Sequence, residues 1–162
     1  MNETQSILFE IIYKIASIPN ISKHKSTVLY GLANYVARYS LMNDHYYISE
    51  KAKAHIIKNK WSLNPLSRSK KSIKNGFTYE HPIPSNYITK EILKNPTKEK
   101  IKKILTKTDH IAIITQDENK QIKSRSKMPD KWKIGDNIWA RYKNTKIKIL
   151  KAKIKMEGVA HR

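Results

Sequence analysis

The sequence predicts an α+β fold: a helical N-terminal half, then a small mixed β-sheet with flanking helices in the second half. Three patterns predict it. Apolar side chains recur every three to four residues over 5–18 and again over 27–41, the spacing of one helix face. The run His110-Ile111-Ala112-Ile113-Ile114-Thr115 has the length and β-branched content of a buried strand. Near the end, over 145–156, lysines alternate with aliphatic residues.

Taken in order, the first helix carries Ile7, Leu8, Ile11, Ile12, Ile15 and Ile18 on one face, and Pro19-Asn20 stops it. A polar linker at 22–26 holds His24, expected to be solvated. The second helix, 27–41, places Val28, Leu32, Tyr35, Val36 and Tyr39 along a stripe that Leu29, Ala33 and Ala37 widen. The pair is expected to pack antiparallel, with any apolar remainder serving as a homodimer face. Residues 43–47 read as a loop. Ser49 is a fitting N-cap for a helix over 50–61, whose apolar positions are Ala52, Ala54, Ile56, Ile57 and Trp61 and whose His55 is expected to be half-buried.

Residues 62–75 (SLNPLSRSKKSIKN) read as a loop rich in hydroxyl, amide and basic side chains. A short strand follows, with Phe77 and Tyr79 on one side and Thr78 and Glu80 on the other. Ser85 is then expected to cap a helix to residue 94 carrying Tyr87, Ile88, Ile92 and Leu93. Asn95-Pro96 separates it from a second helix buried through Ile101, Ile104 and Leu105, with Pro96 in its first turn. The strand 110–115 runs into Thr115-Gln-Asp-Glu118, the pattern of a capping box. Gly135-Asp136 reads as a turn among the anchors Trp132, Ile134, Ile138 and Trp139. The alternation over 145–156 slips phase once, at Ile149-Leu150, and fits either a bulged strand with a lysine face or a basic helix or tail. The organisation is thus read as one domain, 1–162, in three blocks: a neutral helical hairpin (1–48), a basic part (49–142) and a basic C-terminal strand or tail (143–162).

Charge narrows the function. The net charge is +20, and the first fifty residues contribute none of it, with four basic and four acidic side chains. Eight basic residues and no acid lie between Lys51 and Tyr79. Such a field captures polyanions. DNA or RNA is therefore the expected partner, with Lys58, Lys60, Arg68, Lys70, Lys71 and Lys74 as a phosphate cradle and Arg125, Lys127 and Arg141 as supporting contacts. Trp61, Tyr79, Tyr87 and Tyr142 are available to stack on unpaired bases or to fill the core. There is no cysteine, which excludes disulfides and thiolate metal sites. No apolar run reaches membrane-spanning length, and no basic region precedes the first apolar stretch, so a cytoplasmic location is expected. A phosphate-binding Gly-rich loop, a G-x-S-x-G elbow and a paired-histidine zinc motif are all missing.

Chemistry concentrates in Glu80-His81-Pro82-Ile83-Pro84. An acid followed by a histidine at a strand end, with proline close behind, resembles the first motif of HNH-type (ββα-metal) nucleases. That resemblance implies a divalent metal (Mg or Mn) bound by Glu80, with His81 as the general base that activates water. It also implies a second strand close behind, then an asparagine and a histidine on a helix, for which Asn95 and His110 are the nearest residues. The layout Tyr79-Glu80-His81 with Pro84, Thr115 with Glu118, Met128-Pro129 and Arg141-Tyr142 also looks like a set of small uncharacterised bacterial and phage-encoded proteins. Glu118-Asn119-Lys120 with Asp109 loosely resembles the carboxylate-plus-lysine core of restriction nucleases, a capping role for Glu118 being the alternative. The expectation is a nucleic-acid-binding protein, a metal-dependent endonuclease of restriction, phage-defence or mobile-element type. The alternatives are a non-catalytic binding or regulatory protein, in which Glu80 and His81 are structural, and a basic inhibitor of an acidic protein partner.

Overall fold

Asn2 starts the first helix. Its side chain accepts from the Gln5 N–H at 2.9 Å, and the Gln5 side chain accepts from the Asn2 N–H at 3.1 Å. This capping box sets α1 at Glu3–Ala16. The computed structural model describes residues 1–23, 27–124 and 126–157; His24 and Arg125 lie outside them. The fully buried residues of α1 are Gln5, Phe9, Ile12 and Ala16; of the stripe expected from spacing, Ile12 is buried and Leu8 and Ile15 pack against the core, while its two ends turn outward. Ile7 and Ile18 are 56% and 50% exposed. The helix is turned by its partner α2, Thr27–Leu41, whose Tyr39 carbonyl accepts from the Gln5 side chain at 3.3 Å. Asn2 likewise donates to the Met42 carbonyl at 2.7 Å. The start of one helix thus meets the end of the other, and the pair is antiparallel as expected.

Residues 43–47, expected as a loop, instead enter strand β1 (His45–Ile48). Tyr46 and Ile48 are buried on it, and its neighbours supply the backbone partners that a four-residue strand needs. Ser49 then caps α3, Glu50–Asn59, accepting from the Ala52 N–H at 3.1 Å. Lys60 in the left-handed conformation closes that helix before Trp61. Only Ala52 and Ile56 are buried on α3; Ala54, Ile57 and His55 are exposed, so His55 is not the half-buried residue expected. Strand β2 is Phe77–Glu80, and α4 spans Ser85–Lys94. Pro84, not Ser85, occupies the cap position of α4, and it makes no side-chain cap bond. Thr97 caps α5, Lys98–Thr108, leaving Pro96 outside the helix. Strand β3, Ala112–Thr115, passes into α6, Gln116–Gln121, through the Thr115–Glu118 capping box. The C-terminal alternation yields only a two-residue strand, β4, Ile154–Lys155. A single bridge, Ser49 to Ile149, continues its line along β1.

The fold is α+β. The sheet order is β2-β3-β1-β4, with β1 and β3 parallel and the two outer pairings antiparallel. Lys148, Lys151, Lys153 and Lys155 are exposed along the broken outer segment, a charged edge that discourages further strand pairing.

The chain divides into two compact units, each assembled from separated segments. Met1–Met42, Ile83–Asp109 and Ser124–Ala140 form the first; Asn43–Pro82, His110–Lys123 and Arg141–Arg162 form the second. Of the three consecutive blocks read from the sequence, 1–48 and 49–142 each span both units, and 143–162 lies in the second. The first unit is helical. Ile12, Leu32, Val36, Ile88, Ile92, Ile101 and Leu105 fill its core, and Trp132 closes it, donating to the Asn137 carbonyl at 2.9 Å. The second unit holds the sheet with α3 and α6. No helix among the described residues is long and apolar enough to cross a membrane.

One close approach governs the entry to β2. A Cβ added to Gly76 would lie 2.3 and 2.5 Å from ring atoms of Trp61, which packs edge-on against Phe77 with centroids 5.3 Å apart. The φ of Gly76 is −127°, open to any residue, so only the ring enforces glycine. Gly76→Ala is expected to destabilise the protein by about 1–3 kcal/mol through overpacking. Replacing Trp61 with Leu should recover part of that loss. Urea midpoints of the two single variants and the double variant test this: additive losses would refute the steric account.

Candidate functional site

Glu80 ends β2 opposite Ala112 of β3, and both its side chain and that of Arg141 are buried. Arg141 comes from the 3-10 turn Ala140–Tyr142. Its Nη1 donates to Glu80 Oε1 at 2.8 Å and to the His81 carbonyl at 2.9 Å, with a longer approach of 3.4 Å to the Pro82 carbonyl. A planar guanidinium suits this duty, because one rigid fork meets several acceptors and keeps its charge when buried. Burial pushes the Glu80 carboxyl up to about 7, against the opposing pull of the Arg141 charge and hydrogen bond. The second oxygen, Oε2, is buried with no hydrogen-bond partner, which further disfavours the ionised form.

The residues that the nuclease resemblance singled out take part in this buried cluster. Glu80 faces a guanidinium and is not presented to a metal. His81 is half-buried and contributes its carbonyl to the same knot. The strand that pairs with β2 is β3, beyond both α4 and α5, so the compact ββα arrangement does not form around this stretch. Among the described residues no three His, Asp or Glu side chains converge as a metal would require. The donors present do not fit a divalent ion at Glu80. Arg141, expected to contact nucleic acid, is 9% exposed and committed to the carboxylate. Glu118 takes the capping role: its Oε2 accepts from Ser49 Oγ at 2.7 Å, the Thr115 N–H at 2.9 Å and Thr115 Oγ1 at 3.1 Å.

The predicted phosphate-contacting residues have a different fate. Lys58, Lys60, Arg68, Lys70, Lys71 and Lys74 are all exposed, and none enters an ion pair among the described residues. Lys127 is also exposed, and Arg125 lies outside the described residues. The loop at 62–75 is well bonded internally. Asn64 Oδ1 accepts from the Leu66 and Ser67 N–H groups at 2.9 and 3.1 Å. Ser67 and Ser69 accept from the N–H groups of Ser69 and Lys71, and Ser72 donates to the Asn64 carbonyl at 2.7 Å. Asn75 ties back to the Ser69 carbonyl at 2.6 Å. The polar side chains of this loop hold its backbone, while its cations face solvent.

The four aromatics named for base stacking pack within the protein. Trp61 meets Phe77, Tyr79 meets Tyr46 and Tyr87 meets Trp132, all edge-to-face, and Tyr142 is 6% exposed. The exposed aromatic is Tyr30, at 70%, which sequence reading passed over. Its signal was negative: position 30 falls off the apolar stripe of its helix. Comparison with family models, curated proteins and solved structures returned no match.

Two titrating groups in the second unit oppose each other. Glu80 binds its proton more tightly folded than unfolded. Its contribution is therefore full below about pH 4.5 and is lost as pH rises through about 7. His110 behaves oppositely: burial, and then the nearby Lys153, lower its pKa to about 4. Its contribution is present above the ordinary histidine value and is lost as pH falls from about 6.5 toward 4. Urea midpoints across that range should be flat in the parent protein. They should rise with pH in Glu80→Gln and fall with pH in His110→Gln. Identical profiles for the three proteins would exclude this assignment.

Proposed function

We propose that the chain is a non-catalytic nucleic-acid-binding protein that holds the phosphate backbone with the ordered basic loop around Arg68–Lys74 and the end of α3. The observation that carries this reading is a run of exposed cations on a braced backbone. Lys58, Lys60, Arg68, Lys70, Lys71 and Lys74 all face solvent, and among the described residues none of them is paired with an acid, as Lys94, Lys98 and Lys120 are with Glu91, Glu10 and Asp117 at 2.6, 3.0 and 2.9 Å. A preformed loop loses less conformational entropy on binding than a mobile one. Lys58 adds charge in the last turn of α3, where the helix dipole favours a cation.

The commitment of Glu80 to Arg141 supports the binding form of this reading over the endonuclease form. A basic inhibitor of an acidic protein is the second alternative. Self-association is proposed through the N-terminal helices, supported by the exposed Ile7 on α1 and Ile18 just beyond its end. Analytical ultracentrifugation of Ile7→Asp tests it, and a monomeric parent protein would remove it.

Fluorescence anisotropy with a DNA fragment and a structured RNA, over a salt series, tests the main reading. Affinity should fall steeply with salt, and Arg68→Ala with Lys70→Ala and Lys71→Ala should lower the slope by about one per lost phosphate contact. No affinity for either nucleic acid at physiological salt would refute it and favour the protein-directed alternative. Incubation with plasmid in magnesium, manganese or EDTA tests the catalytic form. Metal-dependent cutting that His81→Ala abolishes would overturn the non-catalytic assignment.

A further inference from the structure

Within the first unit, α2 and α4 enclose a concavity of about 350 Å³, at the lower end of the roughly 300–1,000 Å³ of small-ligand sites. Leu29, Tyr30, Asn86, Thr89, Lys90 and Lys127 line it, together with Ser126, and among the described residues no carboxylate does. From these features we infer that it is a subsite for one unpaired nucleobase with its phosphate, which makes single-stranded nucleic acid the ligand class. The inference rests on the nucleic-acid-binding reading of the basic loop and adds the strand form that is recognised.

Three observations carry it. Thr89 is 1% exposed, yet its Oγ1 has no hydrogen-bond partner. A buried threonine on a helix ordinarily bonds the carbonyl one turn back. A hydroxyl left unsatisfied in the interior is destabilising, and rotation of the Thr89 side chain about χ1 toward the concavity would let a base edge or phosphate oxygen there supply its partner. Tyr30 is 70% exposed on the rim, offering a free ring face of the kind that stacks on unpaired bases irrespective of sequence. Finally, the electrostatics suit an anion. Lys90 and Lys127 are exposed at the concavity, and α4 begins at Ser85 with no side chain capping its first-turn amides. An apolar ligand would leave the lysines and Thr89 unused, and a cation would meet only positive charge. A base paired within a duplex has both faces stacked and cannot reach the Tyr30 ring.

The test compares a single-stranded oligonucleotide with the same sequence as a duplex, by anisotropy, for the parent protein and four variants whose folding is checked by thermal melting. Tyr30→Ala should weaken single-strand binding about tenfold and leave duplex binding unchanged. Tyr30→Phe, which keeps the ring, should restore it. Thr89→Val removes an unbonded hydroxyl at nearly constant volume, so it should fold normally and weaken single-strand binding about threefold. The triple alanine variant of Arg68, Lys70 and Lys71 should weaken both forms. If the parent protein binds nucleic acid but Tyr30→Ala and Thr89→Val bind single strands as it does, the subsite is refuted and the basic-loop reading stands. If the parent protein binds neither form, both fall together.

Discussion

The second unit depends on the buried pair of Glu80 and Arg141, separated by sixty residues of chain that belong largely to other elements. Its necessity follows from the turn after β2. Pro82 and Pro84 lack N–H groups, so the stretch from His81 to Pro84 is rich in carbonyl acceptors and poor in donors. The Pro84 carbonyl is taken by α4, through the N–H groups of Tyr87 and Ile88. Those of His81 and Pro82 face Arg141, which also meets the carboxylate. One guanidinium therefore closes a sheet end and supplies the donors that two prolines withhold. Losing either partner would leave a buried group uncompensated, a loss of about 3–5 kcal/mol in comparable pairs.

A second carboxylate solves a related problem without a cation. The parallel strands β1 and β3 each run directly into a helix, so two helix N-termini arise at neighbouring strand ends. Glu118 receives hydrogen bonds from both cap residues, Ser49 and Thr115, and so fixes α3 and α6 together. Acids are scarce in this chain, and two of the thirteen are consumed in this way.

Local signals were legible where the deciding interaction lies within a few residues. The helix over 27–41, the helix over 85–94, the cap at Ser49 and the Thr115–Glu118 box all have their determinants in adjacent sequence. What escaped was decided at long range. The buried face of α1 turns on the Gln5 bond to Tyr39, thirty-four residues away. Strand β1 exists because β3 and β4 flank it. The Arg141 partner could not be read from spacing, although one hint was present: an arginine amid Ile138-Trp139-Ala140 and Tyr142, in a chain whose cations are mostly lysine, is the residue type best suited to burial. The Glu80-His81 stretch looked chemical because acid and imidazole adjoin. The Glu80 carboxylate is instead turned to Arg141, and His81 lies just beyond the end of β2, where its carbonyl meets the same guanidinium.

Candidate function accordingly resides in what folding leaves over. Side chains that satisfy the backbone are poor candidates for recognition: the serines and asparagines of the basic loop are already bonded, and the aromatics near it stack on one another. The same criterion selects the opposite set. Among the described residues the loop cations have no partner acid, Tyr30 has no ring against it, and the Thr89 hydroxyl has no acceptor or donor. Each is locally unfavourable or neutral for the folded chain alone, since an unsatisfied buried hydroxyl and a clustered positive charge both oppose compaction. A polyanion with unstacked bases is the ligand class proposed for each of them separately, the loop in the second unit and the concavity in the first.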